Sequence, residues 1–127
     1  MAAPVAPVTE RRRRVLLIED NADAREMMSM LLELRSCDVI AAEDGASGLA
    51  LAAQQNPELA FIDIGLPGMD GYAVARALRS DPATRHIELV ALTGYGTEND
   101  RQLAFGAGFT HHFTKPIKLT DLDTALA

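Results

Sequence analysis

Four apolar runs along this chain stop on polar residues able to handle a phosphate or a metal ion. Val15-Leu16-Leu17-Ile18 ends on Glu19 and Asp20, and Leu59-Ala60-Phe61-Ile62 ends on Asp63. Leu89-Val90-Ala91-Leu92 ends on Thr93, and Phe113-Thr114 ends on Lys115. Continuous apolar runs of this kind mark parallel strands buried on both faces. The pattern predicts strands over 14–18, 38–42, 59–63, 88–93 and 110–114.

Between these runs the apolar period lengthens to that of a helix, predicting helices over 22–35, 46–56, 72–80, 98–107 and 120–126. Ala24, Met27, Met28, Leu31 and Leu32 fall on one face of the first, and Leu49, Ala52 and Ala53 on one face of the second. Asp44 and Asp70 stand where N-caps belong, Asp23 is a first-turn acid, and Asp81-Pro82 ends the third helix. Thr97 with Asp100 resembles a capping box, and Gly106 and Gly108 offer the fourth helix its exit. Strands alternating with helices of this length imply right-handed βαβ crossovers and a parallel sheet. Residues 1–9, small and proline-containing without periodicity, read as a flexible leader or linker, so the division is 1–13 leader and 14–127 folded domain.

In open α/β sheets the chemistry gathers beyond the carboxyl ends of the strands. Glu19, Asp20, Asp63, Thr93 and Lys115 would therefore meet in one cleft. Carboxylates held that close are costly unless a cation neutralises them, and hard oxygen donors point to Mg²⁺, with Mn²⁺ as its substitute. Lys115 ends the last strand and Pro116 stiffens the turn that aims it; the peptide between them is a candidate for the cis form.

Composition removes other classes. With 127 residues, 48% hydrophobic and 24% charged, the chain is one globular domain. No apolar stretch approaches the ~20 residues needed to cross a bilayer, and no export signal is visible, which predicts a cytoplasmic protein without membrane contact. The single cysteine, Cys37, has no internal disulfide partner and no neighbouring histidine to activate it. Four of the 12 basic residues are Arg11 to Arg14, whereas Glu10 alone of the 18 acidic residues precedes Val15. The remainder is strongly acidic, which argues against nucleic acid as a direct ligand.

Taken together, Glu19-Asp20-Asn21, Asp63-Ile64-Gly65-Leu66-Pro67-Gly68-Met69-Asp70-Gly71, Ala91-Leu92-Thr93-Gly94 and Lys115-Pro116 resemble the receiver domain of bacterial two-component response regulators. The resemblance runs from Arg14 to the end. It implies a flavodoxin-like, doubly wound five-stranded parallel sheet in the order 2-1-3-4-5 with five flanking helices. It implies Asp63 as phosphoacceptor, and Asp20, Asp63 and the Gly65 backbone carbonyl as Mg²⁺ ligands with Glu19 acting through a water. Thr93 and Lys115 would hold the phosphoryl oxygens. The donor would be a phosphohistidine on a histidine kinase or a histidine phosphotransfer domain, and the output a change, or homodimerisation, at the face of helix 4, strand 5 and helix 5. Such a domain is a signalling switch rather than an enzyme with turnover.

Two positions depart from common receiver patterns. Gly65 stands where many relatives carry a side chain near the attacking water. His112, three before the lysine, replaces the usual Tyr or Phe and is read as the switch residue that responds to Thr93. His111 and His112 are not read as a zinc pair, because adjacent strand residues point to opposite faces. The alternatives are a flavin-binding electron carrier, which Glu19, Asp20 and Asp23 disfavour by repelling a flavin phosphate, and an Asp-nucleophile phosphatase, which needs an acid where Gly65 stands. With the fifth helix at the terminus, a stand-alone receiver and the carboxyl-terminal receiver of a hybrid histidine kinase are both expected readings.

Overall fold

Within each strand, successive apolar side chains point to opposite sides, so one strand feeds two cores. The computed structural model describes residues 12–127; residues 1–11 of the predicted leader lie outside them, while Arg13, assigned to the leader, opens the first strand. The elements run β1 (Arg13–Ile18), α1 (Ala22–Glu33), β2 (Cys37–Ala42), α2 (Gly45–Gln55), β3 (Leu59–Asp63), α3 (Gly71–Ser80), β4 (Glu88–Thr93), α4 (Glu98–Ala107), β5 (His111–Thr114) and α5 (Leu119–Leu126). All strand pairs are parallel, in the order β2-β1-β3-β4-β5.

Leu16, Ile18, Ala60, Ile62, Leu89 and Ala91 face the core beneath α2, α3 and α4, where Ala52, Val74, Leu78 and Ala104 meet them. Val15, Leu17, Leu59, Phe61, Val90 and Leu92 face the core beneath α1 and α5, against Met28, Leu32, Leu122 and Ala125. Each large side chain fully buried in these layers contributes about 1.5–3 kcal/mol relative to exposure.

Element ends differ from the predicted ones by a residue or two. Helix α1 stops at Glu33 because Leu34 caps it and Ser36 turns left-handed (φ 64°), which lets β2 begin at Cys37, a buried strand residue. The caps predicted at Asp44 and Asp70 form, accepting from Ser47 N–H and Ala73 N–H. Thr97 accepts from Asp100 N–H at 3.1 Å, but its hydroxyl donates to the Asp100 carboxylate, so the pair is a cap without the reciprocal half of the box. Gly108 (φ 110°) is the left-handed C-cap of α4, whereas Gly106 lies inside the helix.

Two predicted faces shift. On α1, Met28 and Leu32 are buried and Leu31 half-buried, while Ala24 and Met27 are exposed. On α2, Ala53 is exposed, Gly45, Gly48 and Ala52 are buried, and the predicted Leu49 packs half-buried against the same core. A Cβ at Gly48 would come within 2.2 Å of the Ile18 side chain, so the helix lies against β1 at a distance only glycine allows. Far from the site, Arg79 donates to the carbonyls of Gly108, Arg85 and Ile87, binding three segments with one guanidinium.

Candidate functional site

Register decides which side chains meet. Ile18 lies opposite Ile62, so Glu19 and Asp63 follow side by side off β1 and β3. Asp63 pairs with Leu92 and Thr93 with Thr114, which sets Thr93 and Lys115 along the same carboxyl edge. The reversal of strand order between β1 and β3 opens the crevice there.

Lys115 Nζ bridges the two buried carboxylates, 3.0 Å from Glu19 Oε1 and 3.1 Å from Asp63 Oδ2. Its backbone N–H donates to the Thr93 carbonyl at 2.7 Å, and the Lys115–Pro116 peptide is cis. The other Asp63 oxygen, Oδ1, accepts from Gly65 N–H at 3.0 Å. Glu19 Oε2 accepts from Asn21 N–H at 3.1 Å, and Asn21 in turn N-caps α1 through Ala24 N–H. Arg25 donates to the carbonyls of Glu19 (2.8 Å) and Asp20 (3.4 Å), fixing the turn that presents both acids.

Two carboxylates and one ammonium leave this inner group short of positive charge. Burial pushes the Glu19 carboxyl above its ordinary range, and Asp63 adds to this, against the opposing pull of Asn21 N–H and Lys115. Burial alone would lower the Lys115 ammonium, but hydrogen bonds to Glu19 and Asp63, with their charges, hold it above the usual lysine value. Glu19, Asp20 and Asp63 each offer a carboxylate oxygen within 4.8 Å of the others. Oxygen donors alone, with exposed Asp20 open to solvent, suit a hard divalent cation that keeps part of its water shell.

The predicted residues are not all in contact. Thr93 is buried, and its Oγ1 accepts from Tyr95 N–H at 3.1 Å. Strand alternation gives it the parity of Leu89 and Ala91, on the α4 side of the sheet. His112 is on that same side, paired with Ala91 and buried. His111 is on the opposite face, 3.3 Å from Glu88 and stacked on Phe113, so the two histidines do diverge. The roles of Asn21 and Arg25 were missed; the cap residue at 21 was the available signal for the first, and nothing in the pattern marked the second.

A cavity of about 340 Å³ opens directly onto the cleft. Glu19 and Lys115 form its inner end, and Ala24, Met27, Leu31 and Ile117 line its apolar walls. This explains the exposure of Ala24 and Met27: their apolar face continues into a groove.

A five-stranded 2-1-3-4-5 sheet carrying acids on β1 and β3 and a lysine after β5 defines a receiver of the two-component type. The response regulator receiver domain model matches residues 15–127, and the chain belongs to that family. It is 36% identical over 109 residues to the DNA-binding dual master transcriptional regulator RpaA of Synechocystis, covering 86% of this chain and 45% of that protein. The chain thus spans less than half the length of that relative. It is 31% identical to the protein PilH of Pseudomonas aeruginosa, covering 82% of this chain and 86% of PilH. Among solved structures, the receiver domain of the sensor histidine kinase PA1611 from the same species superposes with a TM-score of 0.83 at 28% identity. That match covers 91% of this chain and 95% of the other, whose structure has a magnesium ion coordinated in its active-site cleft.

The family places the chain in two-component signalling, and the residues that the flavin and phosphatase readings call for are not at the expected positions. The acidic turn after β1 has no glycine- or hydroxyl-rich loop for a flavin phosphate, and Gly65 brings no second acid. No helix among the described residues is long and apolar enough to cross a membrane.

Proposed function

We propose that this cleft accepts a phosphoryl group on Asp63 from a phosphohistidine of a histidine kinase or histidine phosphotransfer domain. The observation that carries the reading is Lys115 Nζ held at 3.0 and 3.1 Å from Glu19 and Asp63. A lone surface lysine would have no reason to be locked between two buried acids; a lysine that must meet a phosphoryl oxygen does. The P–N bond of the donor breaks as the Asp63 oxygen forms its bond to phosphorus, and the donor imidazole leaves. Asp20, Asp63 and the Gly65 carbonyl would hold Mg²⁺ or Mn²⁺, with Glu19 acting through a water. Bound there, the ion would supply the positive charge that lets an anionic carboxylate approach an anionic phosphoryl group.

The chain's own residues do the rest. Lys115 neutralises charge on the transferred oxygens, Gly65 N–H fixes one Asp63 oxygen, and Arg25 holds the acidic turn in place. Thr93 reaches the phosphoryl group once its loop releases Tyr95 N–H. The groove of Ala24, Met27, Leu31 and Ile117 gives the donor protein an apolar landing beside the cleft. The change is then relayed to α4, β5 and α5.

Acetyl phosphate or a phosphohistidine donor with Mg²⁺ should give one phosphoryl adduct by mass spectrometry in the wild type and none in Asp63→Asn. Equal labelling of both proteins, or full-rate labelling in excess EDTA, would refute the reading.

A further inference from the structure

The proposed chemistry leaves the buried imidazole of His112 without a part. His112 is 8% exposed, and among the described residues its Nε2 is the one buried side-chain nitrogen or oxygen without a hydrogen-bond partner. The ring lies on the α4 side of β5, beside Ala91 of β4 and one pleat from Thr93. The charged groups that act on it both come from α4, Arg101 and Asp100. On the other face of β5, Glu88 pairs with His111, and Lys115 is turned into the cleft.

In a neutral imidazole one nitrogen carries the proton and the other is a bare acceptor. With the proton on Nδ1, the unpartnered Nε2 is a bare acceptor that carries no charge. Protonation adds both a charge and an N–H donor where no hydrogen-bond partner is present among the described residues. We propose that His112 is a proton-operated latch for α4: the neutral ring holds the helix against β4 and β5, and protonation expels the ring and releases the helix.

Burial depresses the His112 titration below the ordinary imidazole value, Arg101 depresses it further, and Asp100 and a hydrogen bond with its own backbone partly oppose them. A histidine whose folded value lies below its unfolded value of about 6.5 contributes stability that is complete above that value. That stability is lost as pH falls through the folded value. Acid therefore loosens α4, the element that leads out of the Thr93 loop, and blunts the output face. That last step for signalling rests on the phosphoryl-acceptor reading, whereas the latch itself does not.

The test is NMR on the full chain. The three histidine rings are titrated individually, and α4 amide exchange is followed from about pH 7.5 to about pH 5.5, corrected for the intrinsic exchange rate. His112 should titrate below the ordinary imidazole value of about 6.5. Opening at Ala104 and Ala107 should rise on the order of tenfold with acid, the scale set by one unsatisfied buried donor. In His112→Phe, which keeps a flat apolar ring, that opening should no longer depend on pH. A His112 ring that titrates at or above the ordinary imidazole value of about 6.5 would overturn the proposal, and this readout needs no variant to fold. Equal pH dependence of α4 opening in both proteins would overturn it too. Labelling the same wild-type sample with acetyl phosphate separates the two readings: an adduct without a depressed His112 titration sinks the latch alone, and the reverse sinks only the acceptor assignment.

Discussion

Both oxygens of Asp63 are engaged, one by Lys115 and one by Gly65 N–H, so its carboxylate is held still before any donor arrives. What surrounds it sets how long a phosphoryl group would stay. A side chain added at Gly65 would begin 3.7 Å from Asp63 Oδ1, with nothing else within 4 Å. An amide there can orient water in line with the acyl phosphate without disturbing the fold. Gly65→Asn should shorten the phosphoryl lifetime by up to roughly tenfold, about 1.4 kcal/mol in barrier. Decay followed by intact-protein mass spectrometry after removal of acetyl phosphate checks this, and an unchanged half-life would exclude position 65. Tyr95, two residues after Thr93, is 76% exposed and should matter less. Glu19, Asp63 and Lys115 were legible because each closes an apolar run. The bond from Tyr95 N–H to Thr93 was not, because loop geometry sets it and no residue pattern encodes it.

At the scale of elements, glycines carry information that hydrophobic periodicity ignores. The α2 face was misread because counting apolar residues selected Ala53 and skipped Gly48, the residue that brings the helix onto Ile18. Gly71 and Gly106 make a matched comparison. At Gly71, the first residue of α3, a Cβ would meet the Asp63 carbonyl oxygen and Ile64 Cα at 2.7 Å. Backbone cannot yield as a flexible side chain can, so Gly71→Ala should cost about 1–3 kcal/mol and weaken Asp63 labelling. Gly106 has open space within α4, so Gly106→Ala should stabilise by about 0.5–1 kcal/mol. Urea denaturation of both variants decides the matter, and changes of the same sign would contradict the packing argument. Strand positions were the most legible part, since a fully buried parallel strand leaves no polar interruption. Helix ends were less so: the left-handed turns at Ser36 and Asn56 use residues that also occur in ordinary loops.

Over the whole molecule, two cations bind distant parts of the chain at two different places. Arg79 gathers carbonyls from the α3–β4 connection and the end of α4, away from the cleft. Lys115 reaches from the end of β5 to β3 and β1. Neither was readable as a structural tie, because each partner is fixed only when separate segments come together. The position of Lys115 makes it a rival of any divalent ion as well as its partner. On the proposed reading, an ion held by Asp63, with Glu19 engaged through a water, would draw on the two carboxylates that Lys115 already pairs with. Lys115→Met should consequently bind Mg²⁺ roughly tenfold more tightly, since two buried acids would lose their internal counter-ion. The same variant should hold a phosphoryl group poorly. Isothermal titration with Mg²⁺ reads the first effect, and weaker binding would show that the two cations cooperate. On the proposed reading, metal affinity and acceptor function would be opposed through one side chain, and selection for the tightest ion site would yield a worse receiver.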